Sequence, residues 1–354
     1  MNIAIIPWND TFLRDKMFDI DDLEFNHDHC MNHFFLMREE FVRHGDTLHT
    51  IDFFQPEEVD FFLFFDLNLS WLKILADKHL EAKAIYCNAE PPVVNPLNDK
   101  EGFAKLLNYF PYIMTWNDEL VDNQRIFKRN IPYYFENQMG NIPFEKRKLL
   151  TCISGNKHSD HPDELYSERE KLITFLEHDW LDKFDFYGSG WNKGTHPAYG
   201  GRIENKAEIY HKYRFAIAFE NMKNVKGYIS EKILDCITSG IVPVYWGAEN
   251  ITEYIPEDCF IDYRKFSNVG ELVRFLDGMD EKEYQNYLDA AQQFLRSEKV
   301  KLFSGEEYAR DIYYLFEYAK LTDFSLNKRA KHKLFFKVYR EKITDGIKRL
   351  VTLR

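Results

Sequence analysis

Short apolar runs alternate with helix-like segments along most of the chain. In the first half the runs fall at residues 3–8, 48–51, 61–65, 84–87 and 112–116. A second series falls at 149–153, 184–187, 215–219, 241–246 and 259–261. Residues 31–44 and 71–80 between them repeat apolar positions at helical spacing. This alternation of strand-like runs with helical segments predicts parallel sheets covered on both faces. The two series predict two such α/β units, and ligands in such pairs sit in the cleft between them. Residues 137–147, with Gly140 and Pro143, read as the linker.

The segment 215–247 is the most informative. An apolar run ends in Glu220-Asn221, and a short polar loop closes at Gly227-Tyr228. A helix pattern then opens near Ser230, stops at Gly240, and leads at once into a second apolar run. This strand–loop–helix–strand unit is the building block of a parallel sheet. Its polar residues collect where such sheets bind ligands, past the strand's carboxyl end and at the helix's amino end.

The order Phe219-Glu220-Asn221, Tyr228-Ile229-Ser230-Glu231-Lys232 and Val242-Pro243-Val244-Tyr245-Trp246-Gly247 resembles the donor-binding motif of the α-1,3/4-fucosyltransferases, family ten of the glycosyltransferases. Met222 stands where the family usually has Ser. The resemblance is strong over about residues 149–266. It implies two Rossmann-like domains facing a cleft, the GT-B arrangement. Residues 1–147 would be the acceptor domain, 148–320 the GDP-sugar domain and 321–354 a basic tail. It further implies transfer of fucose from GDP-fucose to an oligosaccharide acceptor with inversion at the anomeric carbon.

Such a transfer must stabilise a departing diphosphate, hold the ribose hydroxyls and remove the acceptor's proton. Lys232, near the first turn of its helix, suits a phosphate; otherwise it is a surface lysine. Glu231 would repel phosphates, so it suits the ribose hydroxyls, and the family uses it so; alternatively it is an acid favoured by the helix dipole. Tyr228 either packs on the nucleotide or packs in the core. Glu220 and Asn221 are site candidates because a strand interior would exclude them, with a turn role open for Asn221. Lys193, in the Gly-rich stretch 188–194, could share the diphosphate charge, with Arg202 as its competitor. Ser154-Gly155-Asn156 resembles the family's Ser-Asn turn with a Gly inserted, and Arg169 matches its downstream Arg. Arg169 would contact the ligand or form a helix salt bridge.

Glu90-Pro91-Pro92 follows the run 84–87 and resembles the family's Glu-Ser-Pro turn, whose Glu is the catalytic base. Pro91 biases Glu90 to an extended backbone, which fixes where its side chain points. The alternative is a solvated turn acid. Asp19-Ile20-Asp21 lies far from the donor motif. No metal ligand or required cofactor is therefore expected, with Mg or Mn at most stimulatory. Rival readings are the same scaffold using another GDP-linked sugar, and a nucleotide- or sugar-binding protein without turnover.

Composition adds context. The 354 residues are 45% hydrophobic, which suits a globular chain with sizeable cores. No apolar run reaches the length of a membrane span, and the first residues read as a buried strand rather than a signal peptide. Aromatic residues make up 16%, mostly for core packing, with stacking on sugar rings as a minority use. The scattered Cys30, Cys87, Cys152, Cys236 and Cys259 suit free thiols in a reducing cytosol, which makes the sequons at Asn9, Asn68 and Asn250 chance matches. The chain carries −12, but residues 328–354 carry +8, which leaves −20 on residues 1–327. Phe336, Tyr339, Ile343, Ile347 and Leu350 recur there at helical spacing. Such a stripe suits an anionic membrane surface, or docking on the acidic body. The expectation is a cytoplasmic protein, peripheral on the inner face of the membrane, with no nucleic-acid partner.

Overall fold

The computed structural model describes residues 1–322 apart from 23, 24, 137 and 138, so the basic tail lies outside the described residues. Two wholly parallel sheets organise the chain. The first contains β1 (Asn2–Ile6), β2 (Thr47–Thr50), β3 (Phe61–Phe65), β4 (Ala84–Cys87), β5 (Tyr112–Thr115) and β6 (Ile126–Lys128). Their spatial order is β2-β1-β3-β4-β5-β6. The second contains β7 (Lys148–Ile153), β8 (Phe184–Tyr187), β9 (Tyr213–Phe219), β10 (Val242–Trp246) and β11 (Ile261–Asp262), in the order β11-β10-β9-β7-β8. The apolar runs therefore become strands, with ends displaced by a residue or two. The short β6 has no counterpart among the runs. Its Phe127 and Lys128 are only half-buried, as expected at a sheet edge.

Helices cover the faces: α1 (Asn32–Arg43), α2 (Leu69–Asp77) and α3 (Lys100–Leu106) on the first sheet, and α4 (Tyr166–Asp179), α5 (Lys206–Tyr210), α6 (Glu231–Ser239), α7 (Ile251–Tyr254), α8 (Val269–Gly278) and α9 (Glu281–Leu295) in the second half. Each sheet is buried on both sides, by clusters around Ile3, Phe41 and Leu63 and around Phe62, Phe64 and Tyr86 in the first. In the second the clusters centre on Leu150, Phe186 and Ile217 and on Ala216, Ile233 and Tyr245. This double burial is why the strands read as continuous apolar runs.

The last described helix, α10 (Gly305–Leu321), departs from the division at residue 148. Its Tyr308, Ile312 and Phe316 pack with Ile3, Phe34 and Phe41 of the first half. The reason is its apolar stripe, which the first sheet's α1 face receives; Phe41 meets Phe316 edge-on with ring centroids 5.3 Å apart.

The strand orders locate a site. In the second sheet the chain leaves β7 for β8 on one side and returns to β9 on the other. The carboxyl ends of β7 and β9 thus flank a topological switch point, where ligands of open α/β sheets bind.

Candidate donor and acceptor site

At that switch point lies a cavity of about 480 Å³. Its walls come from the ends of β4, β7, β8 and β9 and the starts of α5 and α6. Ser154 follows β7, Asn221 follows β9, and Tyr228, Glu231 and Lys232 surround the start of α6, all on the second-sheet side. Ala89 and Glu90, just past β4, close it from the first sheet. Arg169 on α4 completes the set, so Ser154, Arg169, Asn221, Tyr228, Glu231, Lys232 and Glu90 share one cavity.

The helix start explains the motif. Ser230 caps α6 in an extended conformation, and its hydroxyl accepts from the Lys232 amide. The same hydroxyl accepts from Lys232 Nζ at 3.0 Å and donates to Glu220 Oε2 at 2.6 Å. Its backbone amide donates to Glu220 Oε1 at 2.7 Å. Glu220 is fully buried and lies behind the cavity wall rather than on it. Burial pushes its carboxyl up, against the pull of Lys232 3.6 Å away. A side chain grown on Gly247 would meet Glu220 Cγ at 2.4 Å, so glycine lets β10's exit close over this carboxylate. Glu220 therefore braces the start of α6, which is how a polar residue survives behind the cavity.

Lys232 is held by two carboxylates, Glu220 and Glu231. Burial works against its charge, but these two acids hold its ammonium firmly protonated. Glu231 shows the converse: burial disfavours its charge, yet Lys232 and Lys206 draw its carboxyl down to about 2. The side chain of Glu231 faces the cavity as a fixed anion, 48% exposed, suited to hydroxyl donors.

Arg169 is buried and donates to Ser154 Oγ at 2.6 Å and to Asn221 Oδ1 at 3.3 Å. It thus ties the ends of β7 and β9 together, with no carboxylate partner among the described residues. Asn221 Nδ2 donates to the Tyr228 hydroxyl at 3.3 Å, and the Tyr228 ring packs against Trp116 of the first half, centroids 4.7 Å apart. Tyr228 is thus mostly core, with its hydroxyl end at the cavity. Met222 packs in the same cluster, so the residue that departs from the family motif points inward.

Lys193 is exposed in the turn that Thr195 closes on Asn192, and it does not line the cavity; nor does Arg202. The loop 188–201 folds back on itself through Gly188 N donating to Gly201 O, which carries Lys193 to its outer tip. Two cations that the motif reading passed over stand in the cavity instead, Lys157 and Lys206. Lys206 begins α5 and pairs with Asp235 at 2.8 Å and with Asp28 of the first half at 3.6 Å. These acids, with Glu231, raise its proton affinity despite burial. Asn205, which caps α5, was the local signal for Lys206. Lys157 follows directly on the Ser154 turn.

The Glu90 carboxylate opens onto the cavity and makes no hydrogen bond or ion pair with the described residues. Partial desolvation of the carboxyl, then Asp66, push its proton affinity up; Lys157 and Lys232 pull it down, and Glu231 adds to the rise. Among the described residues no cluster of His, Cys, Asp and Glu is arranged to hold a metal ion.

Residues 144–312 match the family model described as glycosyltransferase family 10 (fucosyltransferase) C-term. Over these residues the chain is similar to the family 10 glycosyltransferases. The Rattus norvegicus 4-galactosyl-N-acetylglucosaminide 3-alpha-L-fucosyltransferase 9 is 28% identical over 219 residues, 60% of this chain and 54% of that protein. The Helicobacter pylori alpha-(1,3)-fucosyltransferase FucT is 31% identical over 77 residues, 22% of this chain and 16% of that protein. The chain spans about half the length of the former. A solved alpha1,3-fucosyltransferase with GDP-fucose aligns over 93% of this chain and 92% of its own, with a TM-score of 0.54 at 18% identity, which supports the GT-B fold. The matched residues include Ser154, Arg169, Asn221, Tyr228, Glu231 and Lys232 of the cavity wall; Glu90 lies outside them, in the first half.

Proposed function

We propose that this protein is an inverting α-1,3-type fucosyltransferase that moves fucose from GDP-fucose to a hydroxyl of a glycan. The observation that carries the reading is the convergence of Glu90, from one sheet, with Glu231 and Lys232, from the other, on one cavity. The relatives named for fucosyl transfer, and the aligned structure that holds GDP-fucose, support the choice of donor.

In this reading the diphosphate lies between Lys232, Lys206, Arg169 and the start of α6. Fixed cations and backbone amides there stabilise the charge that grows as GDP leaves. Glu231 accepts hydrogen bonds from the ribose hydroxyls. The acceptor oxygen attacks the anomeric carbon from the face opposite GDP, the carbon–phosphate-oxygen bond breaks, and Glu90 takes the acceptor's proton. One displacement turns a β-linked donor into an α-linked product. Mg or Mn is stimulatory at most, because cations of the chain meet the diphosphate.

The test is calorimetry with GDP, UDP and CMP, followed by linkage analysis of the product formed from GDP-fucose and a 4-galactosyl-N-acetylglucosaminide. Preference for UDP, or a product other than α-fucosyl, ends this reading. Fucose differs from other GDP-linked sugars by small groups that a pocket separates weakly, so competing GDP-sugars belong in the same screen.

The same proposal places the enzyme in the cytoplasm, with its basic tail on the inner face of the membrane. Among the described residues no helix is long and apolar enough to cross a membrane. Sedimentation of the protein with anionic vesicles at low and high salt tests the placement; no binding at low salt rejects it.

A further inference from the structure

The turn that carries Glu90 is tied to Asp66, at the end of the neighbouring strand β3. Asp66 follows β3 and adopts a left-handed backbone, φ 55°, which Asp tolerates better than most residues. Its Oδ1 accepts from Asn98 Nδ2 at 3.0 Å, from the Tyr86 hydroxyl at 3.1 Å and from the Ala89 amide at 3.4 Å. Asn98 is fully buried, and its Nδ2 donates a second time, to the Glu90 carbonyl at 2.7 Å. Tyr86 donates to Asn98 Oδ1 at 2.7 Å, which fixes the amide's orientation. The turn at 89–90 is thus held at both residues by one carboxylate, directly at Ala89 and through Asn98 at Glu90.

We propose that Asp66 is a positioning residue for Glu90, fixing through Asn98 and the Ala89 amide the turn that presents the Glu90 carboxylate to the acceptor hydroxyl. The proposal rests on Glu90 being the base. The Glu90 side chain has no partner of its own among the described residues, so only its backbone can aim it. Pro91 restricts that backbone but does not tether it to the sheet. Asp66 is also an anion close enough to act on Glu90, beside Glu231 and against Lys157 and Lys232; Tyr166 and Tyr228 lie within electrostatic reach of the same carboxylate.

The two roles separate by mutation. Asp66→Asn keeps an oxygen for Asn98 and Ala89 but removes the charge. It should leave kcat at high pH within a few-fold of wild type and move the acid limb of kcat/KM to lower pH, because a neighbouring anion has been lost. Asp66→Ala frees the turn. It should lower kcat roughly 10- to 100-fold, the scale of a misplaced catalytic group, and leave GDP affinity unchanged. In a Glu90→Gln background the same substitution should cost nothing further, since the group it positions is gone. Where Asp66→Ala does not fold, Asn98→Ser takes its place. GDP release from GDP-fucose with a galactosyl-N-acetylglucosaminide, read across pH, supplies the rates. An unmoved acid limb in Asp66→Asn, or an equal loss from Asp66→Ala with and without Glu90, overturns the proposal. Wild-type turnover by Glu90→Gln instead overturns the base reading, and this proposal with it.

Discussion

Ser230 gives both its amide and its hydroxyl to the carboxylate of Glu220, at 2.7 and 2.6 Å, and so ties the start of α6 to the end of β9. The link explains why a strand-end acid and a helix-cap serine occur ten positions apart around a loop. Glu220→Gln would set an amide NH2 against one of two Ser230 donors. It should cost about 1–3 kcal/mol of stability, the cost of a buried group left unpaired, and weaken GDP binding without abolishing it. Ser230→Ala should have a similar effect, and the double variant should lose less than the two losses added together. Thermal melts and calorimetry decide: losses that add fully would mean the two residues act apart.

Lys232 stands at the cavity between Glu220 and Glu231. Lys232→Ala should weaken GDP much more than guanosine, because the missing partner is a phosphate. It also leaves the buried Glu220 carboxylate without its nearest positive charge, so a lower melting temperature should accompany the loss. Equal weakening of GDP and guanosine would assign Lys232 to the fold alone.

Legibility in the sequence followed distance along the chain. The β9–loop–α6–β10 unit is local, so its order of apolar run, Glu220-Asn221, Ser230-Glu231-Lys232 and Gly240 could be read directly. Even there, residue type did not separate contact from support: Glu220 and Glu231 look alike in the string, and only burial assigns one to the brace and the other to the cavity. Lys193 was attractive because glycines surround it, yet that loop's internal hydrogen bonds carry it outward. Lys206 went unnoticed because its setting, Asn205 followed by a short helix, is that of any capped lysine. Its meaning comes from Asp235 and Asp28, which no periodicity connects to it. The support of Glu90 by Asp66 and Asn98 was invisible for the same reason, as was the return of α10 to the first half.

Lys206 leads to a prediction of its own. Its ammonium lines the cavity while bonded to Asp235 and close to Asp28 across the two halves. Lys206→Met keeps much of the apolar stem and removes the charge. GDP binding should fall, and the fall should exceed that for GMP, since the second phosphate is lost as a partner. Asp235 is half-buried and already protonates more readily than usual, through desolvation first. Without Lys206 it should rise further, so the variant should be relatively more stable at acid pH than wild type: the folded state binds a proton the unfolded state releases. A melting-temperature difference that does not narrow as pH falls would reject this coupling.

Glu90 supplies the pH test of catalysis. Its carboxyl lies above the ordinary 4.5, through burial first and then Asp66. A base must be deprotonated to act, so kcat/KM should fall as pH drops through that raised value, and the acid limb should sit above 4.5. Glu90→Gln is nearly isosteric but accepts no proton; it should keep GDP affinity and lose most turnover. A variant with near wild-type rate, or one with an unchanged acid limb on its residual rate, would remove Glu90 from the base role.

The close approach of β7 and β8 at their carboxyl ends sets the last test. Gly188 has φ +136°, and a Cβ there would lie 2.1 Å from the Ser154 carbonyl oxygen, a backbone atom that cannot swing aside. That oxygen also accepts from Trp191 Nε1 at 2.7 Å, and the Ser154 amide donates to Tyr187 O at 2.8 Å. Ser154 is therefore pinned between the two strand ends, which is where Arg169 finds its hydroxyl. Gly188→Ala must either push Ser154 away or strain its own backbone, at a cost of about 1–3 kcal/mol. Displacing Ser154 also breaks its bond with Arg169, so GDP affinity should drop together with melting temperature. Ser154→Ala removes the hydroxyl without the clash, and should weaken GDP with a much smaller change in melting temperature. If Gly188→Ala instead melts and binds GDP like wild type, the strand ends are looser than their hydrogen bonds imply.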